Sequence, residues 1–168
     1  NIFYIHNLNK LGAKYFKADL SDLNEVRTMA KAILNEYSSI DVLINNAGVW
    51  MMERKLNEDD LEMSFMVNYL APHLLCHGLF PTLKNNQPAR IVNVNSGLYS
   101  KGSLDIEKTP YGLNFGSINT YASSKFCSMM SSIDFAKEIF RSQQIINIIA
   151  LKIDSLISTI IICILWIV

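Results

Sequence analysis

The sequence predicts an α/β protein built around a parallel β-sheet. Three short apolar runs carry the prediction: Asp41 to Asn46, Arg90 to Ser96 and Ile145 to Leu151. Each has the length of a strand, and the first two end in polar residues, as strands buried inside a parallel sheet do. Long segments with helical periodicity lie between them, and strands alternating with helices define the α/β pattern. The 168 residues, 50% of them hydrophobic, are enough for one domain with a sizeable core.

Taken in order, Lys14 to Asp19 reads as a short strand. It runs into Leu20, Ser21 and Asp22, where Ser21 or Asp22 can cap a helix with acidic residues in its first turn. Leu23, Val26, Ala30, Ile33 and Tyr37 form the apolar stripe of that helix. After the Asp41 strand, Asn57 followed by Glu58, Asp59 and Asp60 is expected to open a second helix reaching Lys84, kinked at Pro72. Asn85 to Pro88 is a turn, and Arg90 to Ser96 the next strand. A polar loop through Gly116 leads into a helix from Ser117 to Arg141, free of Gly and Pro. Ile145 to Leu151 closes the pattern as a further strand.

Fifteen basic and fifteen acidic residues cancel, with no long run of either sign. Neither a nucleic-acid partner nor a polybasic membrane segment is expected. Cys76, Cys127 and Cys163 are odd in number and widely spaced, which fits a reducing compartment. No signal peptide opens the chain, so a cytoplasmic location is expected. The chain begins on Asn1 rather than Met, which suggests that the true amino terminus lies elsewhere. His73 and His77 stand four apart on a helix, as zinc ligands can. They lack the glutamate of a zinc protease and a third ligand at a recognisable spacing, so no metal is expected. Met51, Met52, Met129 and Met130 read as core or pocket lining.

The chemistry points to Tyr121-Ala-Ser-Ser-Lys125. Residues four apart share a helix face, so the phenol and the ammonium are expected to meet. An unperturbed tyrosine ionises near pH ~10, too high for ready proton exchange at neutrality. A cation at about 4 Å, with an effective dielectric near 20, favours the phenolate by roughly 4 kcal/mol, or about three pKa units. Tyr121 could then serve as a general acid/base. Tyr and Lys fall four apart by chance in many helices, so the pair draws its weight from the rest of the chain. In a parallel sheet, ligands sit beyond the carboxyl ends of the strands. Asp19, the run Asn45-Asn46-Ala47-Gly48, and Ser96 each follow a different predicted strand directly. Gly48 lets the backbone turn sharply and allows a flat ligand to approach closely.

With these residues in this order, the chain resembles the short-chain dehydrogenase/reductase family. The resemblance rests on Ala18-Asp19-Leu20, Asn45-Asn46-Ala47-Gly48, Asn68 between Val67 and Tyr69, Ile91 to Ser96, and Tyr121-Ala-Ser-Ser-Lys125. It covers residues 14 to 150. The long stretch between Ser96 and Tyr121 looks like an insertion found in the retinol dehydrogenase-like branch. The resemblance implies a Rossmann-like, doubly wound parallel sheet and the interconversion of an alcohol and a carbonyl with NAD or NADP. Tyr121 would be the general acid/base, and Ser96 would hold the substrate oxygen. Lys125 would lower the tyrosine pKa and hold the nicotinamide ribose, and Asn68 would hold a water in the proton relay. Asp19, with Leu20 beside it, would sit at the adenine. Asn45, Asn46, Ala47 and Gly48 would line the cofactor and brace the sheet. The implied partner is a small, apolar alcohol or carbonyl compound, and a homodimer through the two long helices. Without the family, Asn68 reads as a helix-surface amide and Ser96 as a strand-end hydroxyl.

The chain departs from the family at both ends. The glycine-rich turn that sets a helix amino terminus against the pyrophosphate should come well before Asp19. Gly12 is the one glycine there. The sheet is therefore expected to be incomplete, with the strands at Tyr15 and Val42 each losing a neighbour and exposing an edge. Asn1 to His6 could supply one substitute strand. Leu151 and Lys152 stand where the family has a Pro-Gly pair at the nicotinamide. The apolar run from Ser155 to Val168 is short for a membrane span, which needs about 20 residues. It reads as a buried strand, as a sequence joined by a misread gene boundary or, least favoured, as a tail anchor in contact with membrane. Residues 1–13 then form an atypical amino-terminal segment, 14–152 a partial domain and 153–168 an apolar tail. Two functions stay open. One is an oxidoreductase of which this chain is an incomplete copy, binding NAD(H) or NADP(H) poorly as it stands. The other is a non-catalytic remnant acting at most as a dimerisation or binding module. NAD and NADP are not distinguished, because the residue that reads the ribose 2′ position falls on the second strand of the family fold.

Overall fold

The computed structural model describes residues 14–85, 88–141 and 146–153. Among these, β1 (Val42–Asn45), β2 (Ala89–Ser96) and β3 (Ile146–Ile153) form one parallel sheet in that order. Val42 stands opposite Arg90 and Asn45 opposite Asn93, while Ala89 to Ser96 of β2 face Ile146 to Ile153 of β3. Parallel neighbours need crossovers, which helices supply. Helix α1 (Leu23–Glu36) precedes β1, and α2 (Met63–Phe65), α3 (Ala71–Gly78) and α4 (Phe80–Asn85) connect β1 to β2. Helix α5 (Ser117–Arg141) connects β2 to β3. This is the α/β architecture that the alternating pattern predicts, with β1 at one edge of the described sheet.

One face of the sheet carries the core. Leu43 and Asn45 on β1, and Ala89, Ile91, Asn93 and Asn95 on β2, are buried, whereas the residues between them are partly or fully exposed. The apolar runs predict strands covered on both faces; among the described residues the second face is covered less. Val26, Met29, Ala30 and Ile33 of α1, Leu75 of α3, Leu79, and Phe135 and Ile139 of α5 belong to the core cluster. Each fully buried Leu or Ile in it contributes about 1.5–3 kcal/mol. Helix α1 starts at Asp22, whose carboxylate accepts the N–H groups of Asn24 (2.7 Å) and Glu25 (3.1 Å). Its stripe gains Met29, while Leu23 and Tyr37 are only partly buried.

Three expectations are corrected. Lys14 to Asp19 is irregular rather than a strand, because no strand of the described residues pairs with it, and unpaired extended backbone has no ladder to hold it. Lys14 instead pairs with Glu36 of α1. The second helical region opens at Met63, not Asn57. The Asn57 side chain accepts the N–H groups of Asp59 (3.0 Å) and Leu61 (2.9 Å), closing a turn with Asp60 at φ 61°. Asn offers the backbone this local alternative to a helix. Glu62 then caps the helix by accepting the Phe65 N–H at 3.0 Å. The third correction concerns Pro72. The irregularity lies ahead of it, in a π-helical turn over Met66–Leu70 closed by the Ala71 N–H on the Met66 carbonyl. Proline has no N–H, and its ring presses on the carbonyl one turn back; a wider turn there accommodates it. The helix breaks only at Leu79.

The expectations for Asn1 to His6 and for Ser155 to Val168 lie outside the described residues. Among the described residues, no helix is long and apolar enough to cross a membrane.

Candidate active site

Ser96 ends β2, its hydroxyl accepting the Leu98 N–H at 3.3 Å and lying close enough to Tyr121 on α5 to act on that phenol. One helical turn on, the buried ammonium of Lys125 donates to the Val94 carbonyl at 3.1 Å. The Asn95 amide donates back to the Lys125 carbonyl at 3.1 Å. The tip of β2 and one turn of α5 are thus stitched together. The loop between them docks on the same turn: a Cβ at Gly102 would stand 2.2 Å from the Ala122 carbonyl oxygen.

The electrostatics differ from the sequence expectation. Lys125 Nζ lies 5.9 Å from the centroid of the Tyr121 ring and gives its hydrogen bond to the Val94 carbonyl rather than to the phenol. Burial therefore decides both groups. It raises the Tyr121 pKa, opposed by the nearby Ser96 hydroxyl, and lowers that of Lys125 to about 8. Desolvation disfavours the charged form of each, the phenolate and the ammonium alike.

Asn68 sits in the π-turn and is 2% exposed, so it is no surface amide. Its side chain accepts the Val49 N–H at 2.7 Å and donates to the Val49 carbonyl and to Ser124 Oγ, both at 2.9 Å. Gly48 lies against this pair. A Cβ there would come 3.3 Å from Asn68 Oδ1 and 3.5 Å from Lys125 Nζ. Close approach, not a left-handed φ, is what favours glycine at this position. Asn45 is buried; its amide donates to Asn93 Oδ1 (2.7 Å) and Cys76 Sγ (3.3 Å), and Asn93 donates to Ser132 Oγ (2.8 Å). That network ties β1, β2 and α5 together, and Asn45 Oδ1 has no partner in it. Asn46 and Ala47 are partly buried beyond it. Asp19 and Leu20 belong to a separate turn. The Asp19 carboxylate accepts the Ser21 hydroxyl (2.7 Å) and N–H (2.8 Å), which hold it below the usual carboxylate range, and Leu20 packs against the core.

Sequence reading missed Trp50, whose indole stacks on the Tyr121 ring with centroids 5.0 Å apart and planes 18° apart. Its position directly after Gly48-Val49 was the available signal. Asn93 and Asn95 were also missed, although two polar residues in alternation within an apolar strand mark one face as polar and buried. His73 and His77 fall in a column of rings running from Phe65 through Tyr69 to Phe135, with the two imidazoles 4.5 Å apart and His73 Nδ1 2.9 Å from Ser131 Oγ.

The family model for short chain dehydrogenases matches residues 4–153. Mouse retinol dehydrogenase 14 is 34% identical over 131 residues, 78% of this chain and 39% of the relative. Human retinol dehydrogenase 11 is 35% identical over 123 residues, 73% of this chain and 39% of the relative. The chain thus spans about two fifths of the length of these curated relatives. Among solved structures, an uncharacterized protein from Mycobacterium paratuberculosis superposes with a TM-score of 0.71 at 26% identity, over 83% of this chain and 50% of that one. The NADPH-bound carbonyl reductase from chicken fatty liver gives 0.65 at 23%, over 88% and 62% respectively. A short-chain dehydrogenase/reductase from Burkholderia phymatum in complex with NAD gives 0.64 at 21%, over 88% and 50%. The chain belongs to the short-chain dehydrogenase/reductase family, in its retinol dehydrogenase-like branch.

Proposed function

We propose that this chain carries the catalytic part of an NAD- or NADP-dependent oxidoreductase that interconverts a small apolar alcohol and its carbonyl, with Tyr121 as general acid/base. The observation that carries this reading is the convergence of Tyr121, Ser96 and a buried Lys125 at the carboxyl end of β2. The surroundings fit the nicotinamide end of a dinucleotide, because Gly48 leaves the side of Lys125 and Asn68 that it faces uncovered by any side chain of its own. Lys125 and Tyr121 would hold the ribose, Asn45 would brace the sheet from within while Asn46, Ala47 and Gly48 line the cofactor, and Asp19 and Leu20 would meet the adenine. The bound nicotinamide supplies or accepts the hydride.

The remaining work falls to the chain's own groups. Ser96, fixed at the strand end, orients the substrate oxygen. Tyr121 donates its proton to that oxygen in reduction and takes it back in oxidation. Burial keeps the phenol protonated at neutral pH, which suits donation. For oxidation, Lys125 brought to about 4 Å from the phenol oxygen would favour the phenolate by roughly 4 kcal/mol. The Asn68 amide is committed to Val49 and Ser124, which braces the loop that carries Gly48 against α5.

The test joins the family's glycine-rich strand–turn–helix unit to this chain and follows nicotinamide absorbance with apolar alcohols and aldehydes. Tyr121→Phe lowers kcat by at least about a hundredfold, the scale of a lost general acid/base. Turnover close to the parent's removes Tyr121 from the mechanism. A second reading, a non-catalytic dimerisation module in the cytoplasm, is favoured by the exposed Met130 and Ile133 on α5. It predicts a dimer by sedimentation and no turnover in any version.

A further inference from the structure

Trp50 is held from two sides. Asn68 fixes the backbone just before it, bonding both the N–H and the carbonyl of Val49. The indole N–H donates to Ser117 Oγ at 2.8 Å, and that hydroxyl donates in turn to the Met51 carbonyl at 2.8 Å. Ser117 opens α5 one turn before Tyr121, so the anchor and the stacked ring share a helix face. Rings 5.0 Å apart and 18° from parallel are in offset-stacking range, worth about 0.5–1.5 kcal/mol beyond area burial. With one face covered by the indole, the ring is held in the orientation that sets its hydroxyl beside Ser96.

We propose that Trp50 is a positioning residue for Tyr121: its indole, clamped between the Val49 backbone and Ser117, holds the phenol in one orientation and shields one ring face from water. The mechanistic part rests on reading Tyr121 as the acid/base group; the stack itself does not. Two measurements separate them. The first uses the full chain in a Trp166→Phe background, leaving Trp50 as the sole indole of the two in the sequence. Tyrosinate quenches a stacked indole, so Trp50 emission falls in a step when Tyr121 ionises, above the ordinary tyrosine range, and Tyr121→Phe abolishes the step. A missing step, or one that survives Tyr121→Phe, overturns the stack. The second measurement is kinetic, on the chain joined to the glycine-rich unit. Trp50→Ala lowers kcat at least about tenfold with little change in KM, as a misplaced catalytic group does, and moves the pH–rate profile to lower pH as water reaches the phenol. Trp50→Phe keeps most of the rate. If Trp50→Ala fails to fold, Ser117→Ala, which removes only the anchor, must show the same shift in smaller degree. An unmoved profile and rate in these variants overturn the positioning role. If instead Tyr121→Phe retains turnover while the fluorescence step stands, the acid/base reading fails and the stack remains.

Discussion

Replacing Gly102 by alanine probes the seam between the long loop and the helix that carries Tyr121. A Cβ at Gly102 would stand 2.2 Å from the Ala122 carbonyl oxygen and 2.8 Å from the Ser123 Cα. Ordinary contact begins at 3.4 Å, so loop or helix must retreat by about 1.2 Å. Both obstacles are backbone, and no side chain can rotate out of the way. Overpacking costs typically about 1–3 kcal/mol, and a backbone collision belongs at the upper end, about 3 kcal/mol. The retreat also breaks the Ser103 N–H bond to Ser123 Oγ. With a urea slope of about 2 kcal/mol/M, the unfolding midpoint followed by circular dichroism falls by about 1.5 M. Gly116→Ala is the control, since its nearest neighbour would be 3.7 Å away and its midpoint should move by less than about 0.5 kcal/mol equivalent. Equal midpoints for the two variants would refute the docking of loop on helix. In a protein with turnover, a displacement of about 1 Å at Tyr121 also costs on the order of a hundredfold in rate.

Two titrations test the buried charges. Lys125 holds its proton less tightly when folded, at about 8, than its unfolded reference of 10.5. Stability therefore rises as pH climbs from about 8 toward 10, by up to about 3 kcal/mol, and Lys125→Met flattens the rise; the same climb in the variant contradicts the burial argument. Glu62 is fully buried and, with desolvation outweighing its bond from the Phe65 N–H, keeps its proton above its ordinary 4.5. Its contribution is complete below that value and is lost as pH rises through the folded one. Glu62→Gln, which keeps an acceptor for Phe65, should therefore lose less melting temperature than the parent between about pH 4 and about pH 7, and matching slopes would sink the idea.

The sequence alone determined those elements whose cause is local. The helix from Ser117 to Arg141 has no Gly or Pro to stop it, and the predicted bounds agree with those of α5. Strands β1 and β2 fall where short apolar runs end in polar residues, and the order of Asn45 to Gly48, Ser96, Tyr121 and Lys125 identified the family that the comparisons show. The tertiary structure decided whatever depends on a partner distant in the chain. Lys14 to Asp19 has the composition of a strand but no neighbour to pair with among the described residues, and a strand exists only as part of a ladder. Asn57 looked like a helix cap, yet its local bonds close a turn and leave the cap to Glu62. The spacing of Tyr121 and Lys125 placed them on one face but could not say where the ammonium would point. The Val94 carbonyl takes it, 31 residues back in the chain, and burial then sets both pKa values. Trp50 became part of the site for the same reason, because stacking on Tyr121 requires β1, its loop and α5 to be brought together in space.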